Sequence, residues 1–148
     1  MQKKGLKIAL ASDHAGYELK QQIIDFLQNR NFELKDFGTN SAESADYPDY
    51  VHTLAEAMKN GEFELGIVMC GSGNGVNMTA NKHQHIRSAL CWIPEIASLA
   101  RKHNNANVLA LPARFLDDKT AFEIVDAFLE ASFEAGRHQA RVDKIECK

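Results

Sequence analysis

The stretch 65-LGIVMCGSGNGVNMTAN-81 carries the densest group of residues able to do chemistry: an apolar run ends at Cys70, and Gly71, Gly73 and Gly75 follow within five positions. Such glycines permit positive φ and close backbone approach. A helix start beyond them adds N–H donors and partial positive charge, which suits an anion. The plainer reading is a tight strand-to-helix turn that needs glycine for sterics alone. The loop is not a P-loop, because Val76 follows Gly75 where a lysine and a hydroxyl residue are required. It is not a dinucleotide fingerprint either, since that usually follows the first strand, which here ends in SDHAG. The phosphatase pattern of a cysteine, five residues and an arginine also fails at Val76. Cys70 sits between a strand end and a helix start, where thiolates are favoured. A thiolate can act as nucleophile or general base, although a lone cysteine is also an ordinary small core residue. Cys91 and Cys147 read as structural or incidental.

Other candidates are spread along the chain. Asp13 and His14 follow the first strand; there they could move protons or hold hydroxyls, or Asp13 could simply cap a helix. His103 and Asn104 close the helix before the fifth strand, where histidine also serves as a cap on the helix dipole. Arg137 and Arg141 are four apart. On a helical turn they share a face and could fork onto a phosphate, or remain a solvated basic tail. Arg114, after the fifth strand, could add a third donor. His52, His83 and His85 read as surface residues. The HQH at 83–85 lacks partners at metal-ligand spacing, so no metal site is assigned there.

Short β-like runs alternate with helical ones. Expected strands are Leu6–Ala11, Phe32–Phe37, Leu65–Met69, Ile86–Trp92 and Asn107–Leu111. Expected helices are Gly16–Asn29, a segment from Pro48 to about Lys59, Gly75–Asn81, Pro94–Lys102 and Asp117–Glu134. Alternation of this kind implies βαβ units and a parallel sheet covered on both faces. Ligands of such sheets bind beyond the carboxyl ends of the strands, which marks the Asp13, Gly38, Cys70 and post-Leu111 segments.

The chain has 148 residues, which fits one domain. Its 45% apolar content, 25% charged content and formal charge of −3 point to a soluble globular protein with no bulk attraction to nucleic acid or anionic membrane. No apolar run approaches membrane-spanning length. The basic start MQKK leads into a first strand rather than a signal peptide. Three cysteines without metal-like spacing fit a reducing cytoplasm.

Together these residues resemble the type B ribose-5-phosphate isomerases, grouped with galactose-6-phosphate and allose-6-phosphate isomerases. The likeness runs nearly end to end through SDHAGYELK at 12–20, DYPDY at 46–50, CGSGNG at 70–75, ANK at 80–82, RKHNNANVL at 101–109 and GRHQARV at 136–142. The resemblance implies a Rossmann-like three-layer α/β/α sandwich with a five-stranded parallel sheet, over a single domain spanning 1–148. It implies a homodimer, sometimes paired into tetramers, with active sites at the subunit interface and the basic tail 136–148 completing them. It implies no metal and no cofactor. The reaction implied interconverts ribose 5-phosphate and ribulose 5-phosphate, in the non-oxidative pentose phosphate pathway, through a cis-enediolate. By the same resemblance Cys70 is the base, His103 opens the sugar ring, Asp13 lies near the ring oxygen, and Ser72 holds the reacting oxygens. Gly71, Ser72, Gly73, Asn74 and Gly75 supply the anion hole. Arg137, Arg141 and His14 grip the phosphate, Asn104 and Arg114 add binding contacts, and Tyr47 walls the pocket. Ser72 stands where many members have threonine. Members lacking the cysteine carry a glutamate at the position of Val76, so a cysteine-type base is expected here.

The nearest rival is the same chemistry on allose 6-phosphate or galactose 6-phosphate. A non-catalytic nucleotide-binding module on the same fold is more remote, as is a cysteine hydrolase that uses His103 to activate Cys70.

Overall fold

The computed structural model describes residues 5–147. The first four residues, with most of the basic start, and residue 148 lie outside that range. Five strands form the sheet: β1 (Lys7–Ser12), β2 (Glu33–Asp36), β3 (Leu65–Cys70), β4 (Ser88–Leu90) and β5 (Val108–Pro112). The helices are α1 (Tyr17–Gln28), α2 (Tyr47–Lys59), α3 (Asn74–Ala80), α4 (Pro94–Asn104), α5 (Asp118–Glu130) and α6 (Arg137–Asp143). The strand order is β2-β1-β3-β5-β4, and every neighbouring pair is parallel. The fold is the expected α/β/α sandwich.

Residue alternation explains the layers. Ile8, Leu10, Ile67, Met69, Leu109 and Leu111 pack against α1, α4 and α5. Ala9, Ala11, Val68, Cys70, Val108 and Ala110 pack against α2 and α3. β3 and β5 are buried along their whole length, as central strands of a parallel sheet must be. The chain leaves β1 for β2 on one side and returns to β3 on the other. The carboxyl ends of β1 and β3 therefore flank the switch point where such sheets form a crevice. Asp13 and Cys70–Gly75 stand at its two lips.

A buried lysine fastens the loop beside this crevice. Lys20 is fully buried in α1, directly after the core residue Leu19. Its ammonium donates to Asp36 Oδ1 at 2.5 Å and to the Thr39 carbonyl at 2.6 Å. Asp36 also accepts from the Gly38 N–H at 2.9 Å. Burial pulls the lysine below its ordinary pKa, against the opposing pull of Asp36.

Several boundaries differ from the sequence expectation. β4 is only Ser88–Leu90, because Ile86 closes the preceding turn, its N–H donating to the His83 carbonyl while Asn107 Nδ2 donates to the His85 carbonyl. α5 stops at Glu130, where Ala131 is extended, and Glu134 N–H donates to the Lys102 carbonyl instead of continuing the helix. Beyond Gly136 the tail forms α6, so Arg137 and Arg141 do lie on a helix, the first of the two readings of that pair. The HQH segment is not simply surface. His85 Nε2 lies 2.7 Å from the Ala55 carbonyl, and His83 Nε2 lies 2.8 Å from His52 Nδ1. Burial, then the neighbouring imidazoles, holds His83 below the usual histidine range. No helix is long and apolar enough to cross a membrane among the described residues.

Removing one partner of a buried pair strands the other, so Lys20→Ala is expected to cost about 2–4 kcal/mol, with Asp36 retaining some solvent. Urea denaturation measures this, and a loss below about 1 kcal/mol would show that the pair contributes little.

Candidate active site

The glycine loop grows directly out of β3. Cys70, 5% exposed, is the last strand residue and lies on the α2/α3 face. Gly73 caps α3 with φ of +77°, a left-handed conformation that favours glycine. A Cβ there would also come within 2.5 Å of Leu90 Cδ1. A Cβ at Gly75 would run into the Tyr47 ring. Asn74 N–H donates to Ser72 Oγ at 3.2 Å, so one loop donor is engaged within the loop. Val76 is fully buried in the α2/α3 core, leaving no carboxylate at that position. Arg114 N–H donates to the Gly71 carbonyl at 3.0 Å, and its side chain lies where a Gly71 Cβ would meet it.

Across the crevice, Asp13 Oδ1 accepts from the N–H groups of Ala15 and Gly16 at 2.9 and 3.2 Å. Its capping role is therefore real, and it falls on one oxygen. His14 Nδ1 accepts from the Ala45 N–H at 3.2 Å, just before Tyr47. Thus Asp13, His14, Tyr47, Cys70–Gly75 and Arg114 gather at one end of the sheet.

The remaining candidates do not join them within this chain. Gly66 pairs with Val108, and Cys70 pairs with Pro112. Four strand steps separate these pairs, roughly 13 Å along the sheet. His103 and Asn104 end α4 just before Val108 and so lie at the amino edge, opposite Cys70. α6 packs beside the end of α4. His138 stacks on His103 with ring centroids 4.2 Å apart. Arg137 and Arg141 share that helix, and the Arg141 guanidinium donates to the Arg137 carbonyl at 3.2 Å. His138 is held below the ordinary imidazole range, first by burial and then by the charges of His103 and Arg137.

Two members of this second group were missed by the sequence reading. Glu134 Oε1 lies 3.8 Å from His103 Nε2 and 3.7 Å from His138 Nε2. The available signal was a histidine directly after Arg137. Cys91, by contrast, is fully buried with its thiol pushed up to about 12 by burial, which makes it structural.

A family model described as Ribose/Galactose Isomerase matches residues 8–145. The chain belongs to the ribose/galactose isomerase family. Among members, ribose-5-phosphate isomerase B of Escherichia coli K12 is 45% identical over 139 residues, 94% of this chain and 93% of that one. A ribose 5-phosphate isomerase of Thermotoga maritima has a TM-score of 0.93 to this chain at 47% identity, covering 95% of this chain and 97% of that one. Ribose-5-phosphate isomerase B of Mycoplasma genitalium, solved with bound ribulose-5-phosphate, has a TM-score of 0.90 at 45% identity, covering 97% and 95%. The family fold and this chain's fold are therefore one.

The contact between Gly75 and Tyr47 is testable by itself. Gly75→Ala is expected to lose about 1–3 kcal/mol from overpacking, and most of that loss should vanish in a Tyr47→Ala background. A double-mutant cycle reads the coupling, and additive effects would show that the ring does not set the glycine requirement.

Proposed function

We propose that this chain is a cytoplasmic aldose–ketose isomerase that interconverts ribose 5-phosphate and ribulose 5-phosphate. The observation that carries the reading is Cys70, held at the crevice beside the glycine loop, in a chain that matches the family model over residues 8–145. The relatives named as ribose-5-phosphate isomerases, one with ribulose-5-phosphate bound, support the pentose. Free thiols at Cys70, Cys91 and Cys147 support a reducing compartment.

In this reading His103 moves the proton that opens the sugar ring. The Cys70 thiolate takes the proton from C2 of the open aldose and returns it to C1. The proton on the C2 oxygen is lost as the C1 oxygen gains one, giving the ketose through a cis-enediolate. Loop N–H groups and Ser72 meet the oxygens where negative charge develops, so they favour the transition state over the substrate. Arg137, Arg141 and His14 hold the phosphate, with Asn104, Arg114, Tyr47 and Asp13 placing the sugar.

This chemistry needs both ends of the sheet at once, and a homodimer supplies them. One protomer contributes the Cys70 crevice, and its partner contributes the His103 and α6 edge. Trp92, Ile93 and Phe115 follow the carboxyl ends of β4 and β5 and are exposed, which supports a covering surface at that end.

Turnover on ribose 5-phosphate is expected to exceed that on allose 6-phosphate and galactose 6-phosphate, and Cys70→Ala should cut it by about 10²–10⁴-fold. Full turnover in that variant would remove Cys70 as base; turnover only on a hexose would move the substrate; none at all from folded protein would overturn the isomerase reading. Arg137→Ala should mainly raise KM. Mixing refolded Cys70→Ala chains with Arg137→Ala/Arg141→Ala chains should restore about a quarter of wild-type turnover at low substrate, because half the dimers then hold one intact site. No recovery, with mixed dimers demonstrated, would place the whole site within one chain.

A further inference from the structure

We propose that Arg87 and Arg101 form a binding site for a phosphate group, free or carried by a small phosphomonoester, at the amino edge of the sheet. The site uses neither Arg137 nor Arg141, and it does not rest on the isomerase reading.

A cavity of about 280 Å³ opens where the strands begin. Leu6, just before β1, and Leu65, the first residue of β3, give it an apolar wall. Arg87 enters from the residue before β4, and Arg101 from the last turn of α4. Both are held by the loop that follows α4. Arg87 Nε donates to the Asn105 carbonyl at 2.8 Å, and Arg101 Nη1 donates to the Ala106 carbonyl. The Arg87 backbone is fixed as well, by its N–H bond to Asn107 Oδ1 at 2.8 Å. A ligand therefore meets guanidinium groups that are already ordered, which lowers the cost of binding.

The charge in the cavity calls for an anion. Arg101 is only 9% exposed. Buried charges are ordinarily paired, yet no ion pair among the described residues includes Arg101 or Arg87. Arg101 Nε is buried with no hydrogen-bond partner. Beyond the Ala106 carbonyl, the guanidinium rests on the Phe128 ring at 5.6 Å. Burial, then the neighbouring charge of Arg87, pulls Arg101 below its ordinary pKa. The cavity holds a single carboxylate, that of Glu64. Glu64 is exposed and already accepts from the Lys7 N–H at 2.9 Å. Two guanidinium charges thus outweigh one carboxylate that a backbone donor shares.

The same groups select the ligand. Guanidinium forks match the several acceptor oxygens of a phosphate. A cation would be repelled, and a neutral sugar would leave the charge uncompensated. The apolar wall suits a short carbon chain on the phosphate, and the volume, near the low end for small-molecule sites, excludes a large one.

The test removes the other arginine pair first. Arg137→Ala/Arg141→Ala protein is titrated calorimetrically with inorganic phosphate, at an ionic strength held constant with sodium chloride. One phosphate per chain is expected, and the unfolding temperature should rise with phosphate concentration. Arg87→Gln, added to that background, should weaken binding at least about tenfold, the smallest loss expected for a charge-assisted hydrogen bond. Glu64→Gln removes the opposing carboxylate and should tighten binding severalfold, a gain that damage to the fold does not produce. Arg101 is left in place, because its removal would strand the Ala106 carbonyl. No phosphate bound in the double variant, unchanged affinity in Arg87→Gln, or no tightening in Glu64→Gln would each overturn the site. Methyl phosphate, titrated in parallel, separates the two sources of the ligand. Tighter binding than inorganic phosphate supports the esterified ligand and weaker binding supports the free ion, whereas binding of neither overturns the proposal. Turnover on ribose 5-phosphate plays no part in these readouts, so failure of the isomerase reading is seen separately.

Discussion

Parallel strand pairing gives every strand in this sheet the same polarity, and each return helix must therefore end at the edge opposite the one where it began. The glycine loop opens at the carboxyl edge because β3 ends there. α4 starts at that edge after β4 and delivers His103 and Asn104 to the other. α5 repeats the traverse, so α6 with its arginines also arrives at the amino edge. No side-chain rearrangement brings Cys70 and His103 together in one chain; they are separated by the length of the sheet itself. The proposed pairing of two protomers is a response to backbone direction.

Around the carboxyl edge, packing and chemistry make the same demands. Gly73 must be left-handed, and its neighbours Leu90 and Leu111 fill the space a side chain would need. Gly75 must stay bare because Tyr47 already lies against it. The same absence of side chains that allows tight packing also leaves the loop backbone uncovered. Lys20 fixes the adjoining β2 loop from below through Asp36 and Thr39. The crevice is thus braced on both lips, by Leu90 and Tyr47 against the glycine loop and by Lys20 behind the β2 loop.

Most of the fold was legible because β1, β3 and β5 are continuous apolar runs set between helical periodicities. β4 was overread, since Ile86 and Trp92 look strand-like although the first is tied back to the His83 carbonyl and the second is exposed. α6 was legible only as a helical turn that sets Arg137 and Arg141 on one face; its extent was not, because its mostly polar residues pack beside α4 rather than forming an apolar stripe. The Cys70 group could be located from strand ends alone. The His103 group could be identified as chemical but not placed, since its position depends on where two long helices finish. Glu134 and His138 escaped notice for the same reason: their proximity comes from a turn through Ala135 and Gly136, and positive φ at an alanine leaves no mark in the sequence. Lys20 was hidden by its type, a charged residue set within an apolar helical face.

The distance between the two edges has a consequence for descent. The glycine loop and α6 lie at opposite edges of the sheet, so a substitution at one is remote from the packing of the other. After duplication of such a chain, one copy could decay at one edge while its sibling decays at the other, provided the two keep each other's company. A self-sufficient homomer would then become an obligate pair of specialised subunits without any step in which the working site was lost.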